Sequence, residues 1–255
     1  MIDIKKAEEE FERYVSNYDI TQKPIERKKF HTLRVEKICE DIAKKYGMSE
    51  EDIKLAKLIG VLHDIARFEQ HRIYNTYNDV ISIDHGDFGV SILKKDNYIR
   101  KYIEDNKYDN IIFKAIKYHN KYAIGEDVKD KEKVFCEIIR DADKLDILFL
   151  ASTSSWQEKE EYIIKQTISD NVLEQFRSGN LINDKNIKKD IEWIIRAIAF
   201  IYDYSFKESY EIIKANNYIN KIIDRFDYEL EETKNQMEEI RNIANEYINN
   251  KLKEE

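Results

Sequence analysis

Residues 49–68 read Ser49-Glu-Glu-Asp52-Ile53-Lys-Leu-Ala56-Lys-Leu-Ile-Gly60-Val-Leu-His63-Asp64-Ile-Ala-Arg67-Phe68. Ser49 with Asp52 opens a helix, and the apolar run carries it to about Phe68. Ile53, Ala56, Gly60 and His63 fall in step, so an imidazole stands on or beside the buried face. The run ends in His-Asp, two polar groups where an apolar helix would be expected to continue.

The neighbouring segments repeat the helical pattern. An amphipathic helix is expected over 4–18. Pro24 opens the next, a favoured place for proline, and that helix runs over 25–46 to a C-cap signal at Gly47. Residues 69–83 lack a helical period and read as a loop, with His71 exposed and without a role. Helices follow at about 85–95, 98–106, 109–120 and 132–149, then at 157–177, 188–203, 206–214 and 216–252. The 255 residues hold one proline and six glycines, and no run with period two persists. The expected fold is all-α, one domain over 1–255.

Composition narrows the function. Apolar residues make up 42% and charged residues 37%, a charged but globular balance. The net charge of −8 argues against a nucleic-acid polymer as partner. A small phosphorylated substrate stays open, because a bound cation reverses the local potential. Cys39 and Cys136 have no close spacing and read as reduced, buried thiols. No signal peptide and no membrane-spanning apolar run are seen, so cytoplasm is the expected location.

Five histidines are sparse for this length, yet four occur in one ordered series with carboxylates: His31 in His-Thr-Leu-Arg-Val, His63-Asp64, His85 in Asp-His-Gly-Asp-Phe-Gly-Val, and His119 in Tyr-His-Asn-Lys. Asp143 closes it, in Arg-Asp-Ala-Asp-Lys-Leu-Asp. His31 shares a stripe with Val35, Ile38 and Ile42, and His119 with Ile112, Ala115 and Ile116. A lone histidine on an apolar face is more often a hydrogen-bonded core residue than a ligand. A whole set of buried imidazoles and carboxylates makes sense if they share a cation, and these are the donors of a hydrolytic divalent metal. Asp141 aligns with Val134, Ile138 and Leu145, and Asp143 with Cys136, Ile139 and Asp146; periodicity does not choose between them.

In the order His31, His63-Asp64, Asp143 the chain resembles the HD-domain superfamily of metal-dependent phosphohydrolases, from about Phe30 to Leu150. The resemblance implies an HD core over about 25–150 with a helical extension over 151–255. It selects Asp143 as the closing metal ligand and leaves Asp141 a supporting carboxylate. His85-Gly86-x-x-Gly89 and His119 are similar to the extra histidines of the HD-GYP subgroup. However, Asn120 stands where that subgroup has a second histidine, no proline follows His85, and no Gly-Tyr-Pro signature is present. Cyclic dinucleotide hydrolysis is therefore not implied. His85 and His119 bind a second cation, touch substrate phosphate, or serve the fold alone.

The resemblance further implies one or two divalent ions (Mn, Fe, Co, Ni, Mg or Zn) and a metal-activated water acting on a nucleotide or other small phosphoester. Arg34, Arg67 and Lys144 are the candidate donors to phosphoryl charge, with Asp64 or Asp84 as base and Asp146 orienting a ligand or Lys144. Tyr74, Tyr77 and Arg72, in the expected loop, are candidates for shaping substrate choice. Two other readings stand beside hydrolysis: a di-iron oxygenase on the same fold, and a nucleotide-binding module without turnover. The segment Tyr218 to Leu252, with Ile222, Phe226, Leu230, Met237, Ile240, Ala244 and Ile248 at helical spacing, either closes the domain or forms a homodimer seam.

Overall fold

A computed structural model describes residues 2–153 and 159–254. Among these residues every regular element is helical and no strand occurs. The described helices include none long and apolar enough to cross a membrane. The chain falls into two compact units, Met1–Asp143 and Lys144–Glu255, with the division inside one helix.

The first unit holds α1 (Ile4–Val15), α2 (Lys23–Lys45), α3 (Glu50–Leu62), α4 (Ile65–Tyr74), α5 (His85–Lys94), α6 (Asp109–Tyr118) and the first part of α7 (Asp130–Thr153). Local chemistry sets the ends. Pro24 lies in the first turn of α2, and Ser49 accepts the Asp52 N–H at 3.2 Å to cap α3. Gly47, at φ +80°, takes the left-handed turn that ends α2. The α2 and α3 helices pack along one another, and Gly60 permits their approach: a Cβ there would lie 2.7 Å from Glu36 Cα. Phe68 of α4 meets Phe11 and Tyr14 of α1 edge-on, with ring centroids 5.8 and 6.0 Å apart. Cys39 and Cys136 are free and buried, as the sequence leads one to expect.

Three sequence expectations in this unit need correction. The helix over 49–68 is not continuous: α3 stops at Leu62, Asp64 takes φ −105° and ψ 18°, and α4 sets off anew at Ile65. The segment read as a loop from residue 69 stays helical through Tyr74, where Asn75 at φ 50° ends it. Its remainder, 75–84, is a strap containing one 3₁₀ turn, Asp79–Ile81. His71 is therefore helical and half-buried, its ring 5.2 Å from that of Tyr77. Finally, the helix expected over 98–106 is a 3₁₀ stretch, Lys95–Lys101, because Asp96 and Asn97 adopt positive φ.

The second unit holds the rest of α7 and α8 (Glu160–Ile163), α9 (Asp170–Arg177), α10 (Asp190–Ile198), α11 (Lys207–Asn216), α12 (Tyr218–Ile223) and α13 (Glu231–Lys251). Two long helices expected here are each broken. The one over 157–177 begins on 157 and 158, which lie outside the described residues. Its remainder divides because side chains of α13 replace the helical bonds of 164–169. Gln236 both accepts the Ile168 N–H at 2.9 Å and donates to the Ile168 carbonyl at 3.1 Å, and Thr233 donates to the Gln166 carbonyl at 2.8 Å. The helix over 216–252 divides at 224–230, where Phe226 and Tyr228 are buried and the Glu229 N–H donates to the Ile164 carbonyl at 2.9 Å. Met237, Ile240, Ala244 and Ile248 are buried as their spacing indicates; Leu230 is exposed.

Candidate metal centre

Four helix ends and two helix interiors of the first unit bring six donors together. His31 projects from α2, and His63 is the C-cap residue of α3. Asp64 is the N-cap residue of α4, His85 the first residue of α5, and His119 the C-cap residue of α6. Asp143 comes from α7. The four histidines and Asp64 are buried, while the Asp143 side chain keeps 24% of its surface exposed.

Asp64 stands between two histidine pairs. Its Oδ2 lies 3.4 Å from His31 Nε2 and 3.6 Å from His63 Nε2. Its Oδ1 lies 3.5 Å from His85 Nε2 and 3.6 Å from His119 Nε2. Two buried clusters able to hold metal ions result, His31/His63/Asp64 and Asp64/His85/His119, with Asp64 common to both. Asp143 Oδ1 adjoins the first, 3.1 Å from His31 Nε2.

Hydrogen bonds behind the rings fix which nitrogen is the donor atom. His63 Nδ1 donates to the Gly60 carbonyl and His119 Nδ1 to the Ile116 carbonyl, each at 2.7 Å. His85 Nδ1 lies 2.5 Å from Asp79 Oδ2. A carbonyl or carboxylate can only accept, so each of these Nδ1 atoms carries the proton and each Nε2 presents a lone pair. The lone pairs of His85 and His119 then face one another at 3.0 Å. Opposed lone pairs in a buried site repel unless something positive lies between them. Two imidazole nitrogens bound at about 2.1 Å and at right angles are about 3.0 Å apart, so the spacing fits a shared cation.

The electrostatics agree with a site kept ready for cations. Burial holds His63 down to about 3 and His85 down to about 4, so both rings are neutral near pH 7. Burial alone would raise Asp64, but the Lys28 ammonium and the surrounding imidazoles hold it well below the usual carboxylate range. Asp143 is likewise lowered against its burial, chiefly by the hydrogen bond with His31.

The remaining sequence candidates are distributed as follows. Arg34 is half-buried on α2, three residues after His31. Arg67 Nε is 3.5 Å from Asp64 Oδ1, but its NH1 group is bound to Asp79 Oδ1, the Tyr77 carbonyl and Gln70 Oε1 at 2.9, 2.7 and 2.8 Å. Lys144 belongs to the second unit, where its ammonium meets the carboxylate and carbonyl of Asp203. Asp84 caps α5 through the Asp87 N–H and pairs with Lys121. Asp141 and Asp146 are wholly buried. Asn120, in place of a further histidine, donates to Asp79 Oδ2 and Asp84 Oδ2, both at 3.1 Å. The glycine at 86 allows this: a Cβ there would lie 2.5 Å from Asn120 Oδ1 and 2.8 Å from the Lys117 carbonyl.

Sequence reasoning missed Lys28, Gln70 and Asp79. Lys28 Nζ lies 2.7 Å from Asp64 Oδ2. Its signal was available, since it precedes His31 by the same three residues by which Arg34 follows it. Gln70, wholly buried, ties α4 to the strap through Asp79, Ser82 and Ile83. Asp79 had no signal, because its segment has no period to align it with His85.

Residues 30–148 match the family model described as HD domain. No curated protein and no solved structure matches the chain.

Proposed function

From an HD domain over residues 30–148, we propose a metal-dependent phosphohydrolase that acts on a nucleotide or another small phosphoester at a dinuclear centre. The observation that carries this reading is the division of the Asp64 carboxylate, one oxygen toward each histidine pair. Divalent cations there would supply a water of lowered pKa and a counter-charge for phosphoryl oxygens.

The residues of the chain have separate tasks in this proposal. His31, His63 and Asp143 hold one cation, His85 and His119 the other, and Asp64 spans both. The protonated Nδ1 atoms of His63, His85 and His119 keep their Nε2 atoms turned to the site. Asp143, the most exposed of the donors, marks the side from which a substrate enters. Lys28 and Arg34 flank His31 one turn away on either side and bring positive charge to an anionic substrate. Arg67 works through the strap it binds rather than on the phosphate itself.

A second reading, oxygen-dependent chemistry on two irons, is favoured by the nitrogen-rich donor set of four imidazoles to two carboxylates. One experiment separates the readings. Metal content is measured on protein purified without chelator or added metal, followed by phosphate release from a nucleotide panel with Mn, Co, Ni and Mg. Two ions per chain with phosphate release supports hydrolysis. Iron with substrate-dependent oxygen uptake supports the second reading. Tight nucleotide binding without turnover under any metal would reduce the protein to a binding module.

A further inference from the structure

The strap between α4 and α5 has an inner and an outer side of different chemistry. Outward, Val80 and Ile81 are 93% and 71% exposed. Inward, five of its polar contacts fall on one carboxylate, that of Asp79. Asp79 Oδ2 takes His85 Nδ1 at 2.5 Å, the His85 backbone N–H at 3.4 Å and Asn120 Nδ2 at 3.1 Å. Asp79 Oδ1 takes Arg67 NH1 at 2.9 Å and Gln70 Nε2 at 3.0 Å. Both oxygens are thus engaged from three elements at once: α4 through Arg67 and Gln70, α5 through His85, and the end of α6 through Asn120.

Tyr77 holds the other end of the strap. Its hydroxyl donates to the Pro24 carbonyl at 2.9 Å, and its ring lies 5.6 Å from both Lys28 Nζ and the Arg67 guanidinium carbon. The strap therefore touches the site at two places, and only one of them, Asp79, reaches a candidate ligand.

Resting on the dinuclear reading above, we infer that Asp79 is a positioning residue for the second cation: it fixes the tautomer and ring direction of His85 and thereby couples the strap to occupancy of the His85/His119 cluster. A carboxylate behind a ligating imidazole orients the ring and raises its basicity, and loss of such a partner costs about 10- to 100-fold in metal affinity. In the first cluster His63 is oriented by the Gly60 carbonyl, where His85 in the second is oriented by Asp79. By linkage, a cation at His85 and His119 stabilises the strap to the same extent that the strap stabilises the cation.

The test is a Mn2+ titration of the full metal-free chain by calorimetry, comparing wild type, Asp79→Ala and Asp79→Asn. Amide exchange over 75–84 is followed through the titration. Wild type takes up two ions, and the second slows exchange in the strap. In Asp79→Ala the first ion binds as in wild type, the second is weakened about 10- to 100-fold, and the strap no longer responds. Asp79→Asn, which keeps the size and one acceptor, falls between the two and decides the matter if the alanine variant fails to fold. Two ions bound with wild-type affinities in the variants would overturn the role of Asp79 alone. Equal weakening of both ions would also overturn it, since the effect would then be general. A single ion in wild type would overturn the dinuclear reading and this inference with it.

Discussion

His63 and Asp64 are adjacent in sequence but belong to different helices: His63 ends α3 with helical dihedrals, and Asp64 breaks away at φ −105° and ψ 18° before α4 begins. On an unbroken helix consecutive side chains diverge by about 100°. The break instead lets both residues turn to the same interior, where Asp64 meets two histidine pairs. Asp64→Ala is therefore expected to empty both cation positions, and phosphate release should fall to background. Metal content per chain checks this; an Asp64→Ala protein that keeps two ions would sink the assignment of the bridge.

Asp143 and Asp141 should separate cleanly. Asp143 adjoins His31 and is partly exposed, whereas Asp141 is wholly buried. Asp143→Ala is expected to weaken the first cation by more than about 100-fold, beyond what loss of a supporting partner does. Asp141→Ala is expected to cost stability on the order of 1–3 kcal/mol and to leave more of the metal bound. Parallel melting curves and metal titrations check both; the opposite ranking in metal affinity would mean that Asp141 is the ligand.

Lys28 offers a test of what neutralises Asp64. Its ammonium, 19% exposed, lies 2.7 Å from a carboxylate oxygen that is 2% exposed. Removing one member of a buried pair leaves the other uncompensated, at a cost of about 3 kcal/mol. Cations at the site would supply the missing charge. Lys28→Met should thus destabilise the metal-free protein strongly and the metal-loaded protein much less. Equal losses in denaturant unfolding with and without Mn2+ would show that Lys28 and the cations do not act on the same oxygen.

Acid should unfold the metal-free protein early. Burial lowers His63 to about 3 and His85 to about 4 in the fold, while an unfolded histidine ionises near about 6.5. With the folded values depressed, unfolding takes up protons once the pH drops below about 6.5. The stability present above that pH is lost as the pH falls toward the folded values. Asp64 and Asp143, also depressed, add a loss of the same sign below about pH 4. The melting temperature of the metal-free protein should hold level from about pH 8 to 7 and fall steadily from about 6.5 to 4. A rise on acidification would show that these rings are not buried neutral.

The ordered candidate ligands His31, His63-Asp64, His85, His119 and Asp143 are written in the sequence, and so is the all-helical character. Helical phase depends only on spacing along the chain, and ligand chemistry only on residue type, so both can be read in one dimension. The caps at Ser49 and Gly47 are legible for the same reason. The break at Asp64 is not, because the apolar run continues on both sides of it with no proline or glycine at the break. Nor are the breaks at 164–169 and 224–230, where a helical pattern yields to hydrogen bonds offered from elsewhere in the chain by Gln236, Thr233 and the Ile164 carbonyl. Tertiary packing alone gave each side chain its partner. It committed Arg67 to the strap and Lys144 to Asp203, set Lys28 on Asp64, and brought Asp79 behind His85. A hydrogen bond or ion pair requires two groups within about 3 Å, and residues distant in the chain come that close only once the helices have packed.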